Sequence, residues 1–266
     1  MYKELINDCE KIETYFEEGI DKNWKVMKHQ WGIGNGGCIP ENVKLGLEGV
    51  ELVANGNFYT GSIRGLNHDK TRGKNGKRTG AALISSQMLG PGSFEICMKP
   101  CPKFGVCTAF WTWYENEEIN HEIDMELPGR IKKENPTFEI MLNNTWLTEE
   151  KCERRCVPIK EAIDGNFHTF RFDWHTQPEK VEFYYDGKLV QVNTKNIPTV
   201  KMNITFGAWF PHDWAGKPDF DSSEMKVRYV KYIPFKEKCK EIFPNPADSL
   251  GILYDNFKDE NHLTDL

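Results

Sequence analysis

Long apolar runs are missing from this 266-residue chain. No stretch approaches the roughly 18 consecutive apolar residues that a membrane helix needs, so no helical span is expected. An excess of either charge is missing too. Thirty-four Lys and Arg against 40 Asp and Glu leave a net charge of −6, which gives no reason to expect nucleic acid or an acidic membrane as partner. The opening stretch MYKELINDCEKIETYFEEG has acids but no apolar segment of the kind a secretory leader carries. The expectation is a protein that stays in the cell, or a mature chain with a new Met1. Eight cysteines in 266 residues fall far short of a disulfide-stapled scaffold. Cys97 and Cys101, like Cys152 and Cys156, have Cys-x3-Cys spacing instead of the zinc-ribbon Cys-x2-Cys, so thiols that are buried or free are expected and no metal or other cofactor. The glycine-rich run Gly32, Gly34, Gly36 and Gly37 lacks a P-loop Lys-Ser/Thr. No Ser or Cys sits in a nucleophile-elbow context, and no tandem repeat is evident.

What the chain has in quantity is alternation. A strand sends successive side chains to opposite faces. GSFEICMK places Phe94, Ile96 and Met98 on one face. FHTFRFDW sets His168, Phe170, Phe172 and Trp174 against Thr169, Arg171 and Asp173. KVEFYYDGKLV runs Val181, Phe183 and Tyr185 into Asp186-Gly187, a strong hairpin-turn pair. KMNITFGAWF and FEIML alternate as well. Helix is suggested only within the first 18 residues, by Leu5, Ile6, Ile12 and Phe16, and in the tail after residue 236. The expected fold is an all-β, two-sheet single domain over 1–236, followed by a 237–266 tail packed on it or partly mobile. RGLNHDKTRGKNGKR, residues 64–78, breaks the rhythm as a basic loop: either a solvated excursion or a wall that meets an anionic substituent.

HEIDMELPG, residues 121–129, raises the sharpest question. Glu122, Asp124 and Glu126 would share one strand face, with Ile123, Met125 and Leu127 on the other. Acids are disfavoured in strands, so three in five residues need a reason. Cleavage of a glycosidic bond supplies one. One carboxylate must be ionised to attack the anomeric carbon and a second must hold a proton for the leaving oxygen. A central aspartate that hydrogen-bonds the nucleophile also raises the pKa of the nearby acid. Just upstream, VCTAFWTWYE places Trp111 and Trp113 on one face, opposite Phe110 and Thr112, as aromatic platforms for sugar rings. A solvent-facing acidic strand and a calcium site are the rivals. His121 shares parity with Ile123 and is expected to face the core. His168 and His175 read as structural, and His212 and Asp213 beside Trp214 could form a cleft rim.

HEIDMELPG resembles the Glu-x-Asp-x-Glu signature of glycoside hydrolase family 16, the lichenase- and laminarinase-like endo-β-glycanases. QWGIGNGGCIPENV, GPGSFEICMKP, FHTFRFDW with VEFYYDGKLV, KMNITFGAW and VRYVKY resemble further motifs of that family, in order, over about residues 16–235. The resemblance implies a β-jelly-roll sandwich, concanavalin A-like, with short helical or irregular terminal segments. It implies retaining endo-hydrolysis with Glu122 as nucleophile, Asp124 as assisting carboxylate and Glu126 as acid/base. Trp111, Trp113, Trp209 and Asn35 fall where the family binds sugar, and Asn143, Trp146 and Trp214 are drawn from loops near the cleft. The polysaccharide partner is expected to be a β-1,3-1,4- or β-1,3-glucan, with a galactan, sulfated or host glycan as the alternative and a non-catalytic lectin-like module as a third reading. A secreted or cell-surface monomer is what the family implies. The sequence departs from the family at Arg228, where lichenase-like members carry the Asp of a structural calcium site, so no metal is carried over. The stretch WFPHDWAGKPDFD has no counterpart in the lichenase pattern.

Overall fold

The computed structural model describes residues 3–29, 37–61, 78–129, 140–159, 162–211 and 214–253. The first six strands are β1 (Lys3–Ile6), β2 (Ile12–Tyr15), β3 (Trp24–Met27), β4 (Val43–Gly46), β5 (Gly49–Asn55) and β6 (Ala81–Ser85). The middle of the chain supplies β7 (Gly92–Lys99), β8 (Cys107–Glu115), β9 (Asn120–Pro128), β10 (Ile140–Thr148), β11 (Lys151–Pro158) and β12 (His168–Thr176). Last come β13 (Glu179–Tyr185), β14 (Lys188–Asn193), β15 (Asn203–Trp209), β16 (Ser222–Pro234), β17 (Lys238–Glu241) and β18 (Gly251–Leu253), with one short helix, α1 (Ala247–Leu250), just before the end.

These strands make two packed sheets. One has the order β11-β10-β9-β8-β15-β6-β3-β18, the other β14-β13-β12-β7-β16-β5-β4, with β2 also paired to β16. Both are antiparallel. Period-2 alternation turns one face of each sheet into the shared core. Phe94, Ile96 and Met98 of β7, Phe170, Phe172 and Trp174 of β12, and Ile123, Met125 and Leu127 of β9 are all buried. Aromatic rings join the layers: Phe110 of the first sheet lies 5.4 Å from Phe172 of the second, which stacks on Phe94 at 4.9 Å. A ring fully buried in this way contributes about 1.5–3 kcal/mol, so this ladder is a main source of cohesion. The Asp186-Gly187 hairpin forms as the sequence suggests. Both residues have positive φ, 46° and 75°, which matches the right-handed twist of the strands it joins.

The N-terminal segment departs from the helical expectation. KELI pairs with β17, IETY pairs with β16, and only Phe16–Glu18 turns, as a single 3₁₀ turn. Ile12, Thr14 and Phe16 are buried at period 2, and Trp24 Nε1 donates to Thr14 Oγ1 at 2.9 Å. Pairing with β16 and β17 outweighs a weak helical pattern in which only Ile12 and Phe16 recur at i and i+4. At the other end, β17 pairs with β1 and β18 extends the first sheet beside β3.

Candidate active site

β9 lies between β8 and β10, and the register decides what surrounds its acids. Asp124 stands opposite Trp111 on one side and Asn144 on the other. Glu122 stands between Trp113 and Trp146, and Glu126 between Ala109 and Leu142. Directly opposed residues share a face. The three carboxylates therefore point away from the sandwich core, among indole rings. Despite facing outward, Asp124 is only 3% exposed.

Asp124 is held by two donors: Asn144 Nδ2 gives to Oδ1 at 2.7 Å and Trp146 Nε1 to Oδ2 at 2.8 Å. Burial still outweighs them and pushes its pKa up to about 7. Burial, reinforced by the Asp124 charge, holds Glu122 and Glu126 well above the usual carboxylate range. The three together carry fewer than three negative charges near neutrality, so a proton is available on this face. The Cys107 thiol lies 3.8 Å from Glu126 Oε1, and burial keeps it protonated.

The tryptophans named from sequence gather around this row. Trp111, Trp113 and Trp146 flank it, and Trp113 Nε1 donates to Asn120 Oδ1 at 3.2 Å. Trp209, opposite Cys107 on β15, meets the exposed Trp214 edge-on at 6.1 Å. Asn143 lies on the other face: it stands opposite Met125 and is fully buried on the core side, where its Nδ2 donates to Gln191 Oε1 at 3.2 Å, away from the carboxylates. Its neighbour Asn144 occupies the site face instead. Asn35, the rim residues His212 and Asp213, and loop 64–78 apart from Arg78 lie outside the described residues.

Sequence reasoning missed Arg154. Placed opposite Asn144 on β11, its guanidinium sits 4.2 Å over the Trp146 ring and its charge favours the ionised form of Asp124. The only available signal was parity counted across the β10–β11 turn, which a register shift at Trp146–Thr148 obscures.

Three described histidines, His121, His168 and His175, lie elsewhere. His121 is buried on the core side, which pushes its pKa down to about 4. His168 bonds Asp186 and Asp164, and His175 bonds Glu237. All eight cysteines are free thiols. Residues around Arg228 do not fit a calcium ion: the guanidinium lies 3.8 Å over Phe167 and 3.7 Å from Glu48, a cation where a carboxylate ligand would be needed.

The row of acids lies within a span that matches a known family. Residues 50–231, which span β5 to β16 and include the triad, match the model of "Glycosyl hydrolases family 16". The chain belongs to glycosyl hydrolase family 16. Among curated relatives, a β-glucanase of Acetivibrio thermocellus is 29% identical over 157 residues, covering 56% of this chain and 44% of that protein. A β-glucanase of Paenibacillus macerans is 28% identical over 141 residues, covering 51% and 56% respectively. The chain thus spans about half the length of the curated relatives it matches. The solved Bacillus licheniformis β-glucanase superposes with a TM-score of 0.67 at 20% identity, covering 86% of this chain and all of that one (100%). At that identity the likeness establishes the family 16 fold of two packed sheets.

Proposed function

We propose that this family 16 chain is a retaining endo-β-glucanase acting on β-1,3-1,4- or β-1,3-glucan. The observation that carries the reading is the outward row Glu122–Asp124–Glu126, with its central carboxylate held by two donors and tryptophans on the strands alongside. The relatives' β-glucanase activity supports the substrate class. In this mechanism Glu126, kept protonated by burial and by the Asp124 charge, gives its proton to the leaving glycosidic oxygen. Glu122, in its ionised form, attacks the anomeric carbon and forms a glycosyl ester. Water then enters, Glu126 takes its proton as general base, and the ester breaks to release sugar and restore Glu122. Asp124 tempers both steps: its bonds to Asn144 and Trp146 fix it, and its charge keeps Glu126 a proton donor.

The test is a reducing-sugar assay of the purified chain on barley β-glucan, laminarin, carboxymethylcellulose, agarose, keratan sulfate and mucin glycans, with Glu122→Gln as blank. Turnover on the glucans, lost in Glu122→Gln while the circular dichroism spectrum is kept, supports the reading. Near-normal turnover by Glu122→Gln would sink the mechanism, and turnover on the galactose-containing set alone would sink the substrate.

A further inference from the structure

A single register row crosses the whole site sheet: Arg154, Asn144, Asp124, Trp111, Thr205, Ile84, Lys25 and Leu253. All eight point to the carboxylate side. Exposure varies along the row. Arg154 is exposed and Trp111 half-buried, Asn144 and Asp124 are buried against each other and Trp146, and Thr205, Ile84 and Lys25, at 1%, 0% and 9%, are buried under a cover of their own. At the far edge Leu253 is exposed again.

The cover is the chain's own C-terminal segment. Ala247 and Leu250 pack with Cys38 against Met27, Ala82 and Ile84 on the carboxylate face, and Trp111 packs against the same cluster. Lys25 Nζ donates to the Ala247 carbonyl at 3.2 Å and to Asp248 Oδ1 at 2.9 Å. The segment is anchored at both ends. Tyr114 Oη donates to the Phe243 carbonyl at 3.0 Å and Asn245 Nδ2 to the Ser86 carbonyl at 2.9 Å, while β18 pairs with β3. Contact with the sheet is close: a Cβ added at Gly251 would lie 2.7 Å from Lys25 Cβ and 3.3 Å from Ile84 Cγ2.

We infer that residues 245–250 form the end wall of the glycan groove, a specificity-determining element that limits how many sugar units bind beyond Trp111. The inference rests on the glycanase reading. Trp146 on β10, Trp113 and Trp111 on β8 and Trp209 on β15 step along the strands as well as across them, and a glycan laid over the Asp124–Trp111 row runs toward β6 and β3. Strands about 4.8 Å apart make the β15–β6–β3 stretch roughly 14 Å of floor, and the segment takes that stretch away. A chain that reaches Trp111 must end there or turn out into solvent. A short oligosaccharide is then cut at a fixed distance from the end that meets the wall, while a long chain that turns out into solvent is still cut internally; a groove open at both ends would cut even short oligosaccharides at several positions.

The deciding experiment uses mixed-linkage and β-1,3-gluco-oligosaccharides, unlabelled or carrying a bulky fluorophore at the reducing or the non-reducing end. Binding is measured on full-length Glu122→Gln, and bond-cleavage positions on the wild type. A wall predicts that one label weakens binding by about tenfold or more, roughly 1.4 kcal/mol, while the other changes Kd by less than about twofold. It also predicts a cleavage site that keeps its distance from one end as the oligosaccharide lengthens. A chain ending at Phe243 should tolerate both labels. Should that variant not fold, the wild-type and Glu122→Gln measurements decide alone. Equal tolerance of both labels overturns the wall, whatever the activity. One-sided tolerance without any hydrolysis keeps the wall and overturns the catalytic reading, and failure of every oligosaccharide to bind overturns both.

Discussion

Asn143 and Asn144 differ by one place in β10 and therefore by a whole face of the sheet. Asn144 donates to Asp124, while Asn143 donates to Gln191 in the core. Asn144→Ala should therefore lower kcat/KM by about tenfold or more, since a hydrogen bond to a charged group is worth about 1.5–3 kcal/mol. Asn143→Ala should lower the unfolding midpoint and leave kcat per folded molecule near wild type. Steady-state kinetics beside thermal melts separates the two, and the reverse pattern would mean that the parity is wrong. Two adjacent asparagines in a strand are indistinguishable by type, and no hydrophobic alternation in NNTW says which one faces inward. HEIDMEL carries its own phase, because Ile123, Met125 and Leu127 can only be the core side, so the row of acids was legible from the sequence. His168 offers a second test at this scale. Burial lowers its pKa, but the Asp186 and Asp164 carboxylates outweigh burial and raise it above 6.5, while both aspartates are themselves held below 3.8. The histidine's contribution is complete below pH 6.5 and fades as pH rises through its folded value; the aspartates' contribution fades as pH falls through theirs. His168→Ala should cost about 1 kcal/mol, discounted for the half-exposed Asp186, with the gap to wild type widest between about pH 4 and 6.5. Denaturant titrations across that range check it, and a gap that widens above pH 8 would contradict it.

Elements in this fold were legible in proportion to the length of their alternation. β7, β12 and β13 carry three buried large side chains each, or two and a half-buried tyrosine, and announce themselves. β1, β2 and β17 are four residues long, too short for any period to register, and are fixed by partners far away in sequence. For the same reason the C-terminal segment showed no sign of its place over Ile84. The β13–β14 hairpin is the opposite case, because Asp-Gly fixes both its turn type and its register. A Cβ at Gly187 would meet nothing within 4 Å, so φ of 75° alone makes glycine preferable there. Gly187→Val should destabilise by about 1–2 kcal/mol purely through backbone strain. A melt indistinguishable from wild type would show that the turn relaxes.

Over the whole molecule, burying three acids on one strand sets function against stability. The folded pKa of each member of the triad is raised, so the folded state binds more protons than the unfolded chain between the ordinary carboxylate values and the raised ones. Stability from this source falls as pH rises through that window, which for Asp124 runs from 3.8 to about 7. Glu122→Gln and Glu126→Gln should therefore melt higher than wild type at pH 7–8, by about 2–4 °C for each kcal/mol recovered, and the difference should vanish near pH 4. Calorimetry at the two pH values checks this, and variants that melt lower at pH 8 would contradict the repulsion. The same raised values place the acid limb of the pH–rate profile above the ordinary carboxylate range. In the proposed mechanism Glu122 attacks while Glu126 donates and then recovers the proton, two displacements that return the anomeric centre to its starting configuration. Proton NMR of the first sugar released from a β-glucan oligosaccharide, read before mutarotation, tests it most directly. The β-anomer is predicted to appear first and the α-anomer only later. Initial release of the α-anomer would contradict a covalent role for Glu122 and require a single direct attack by water.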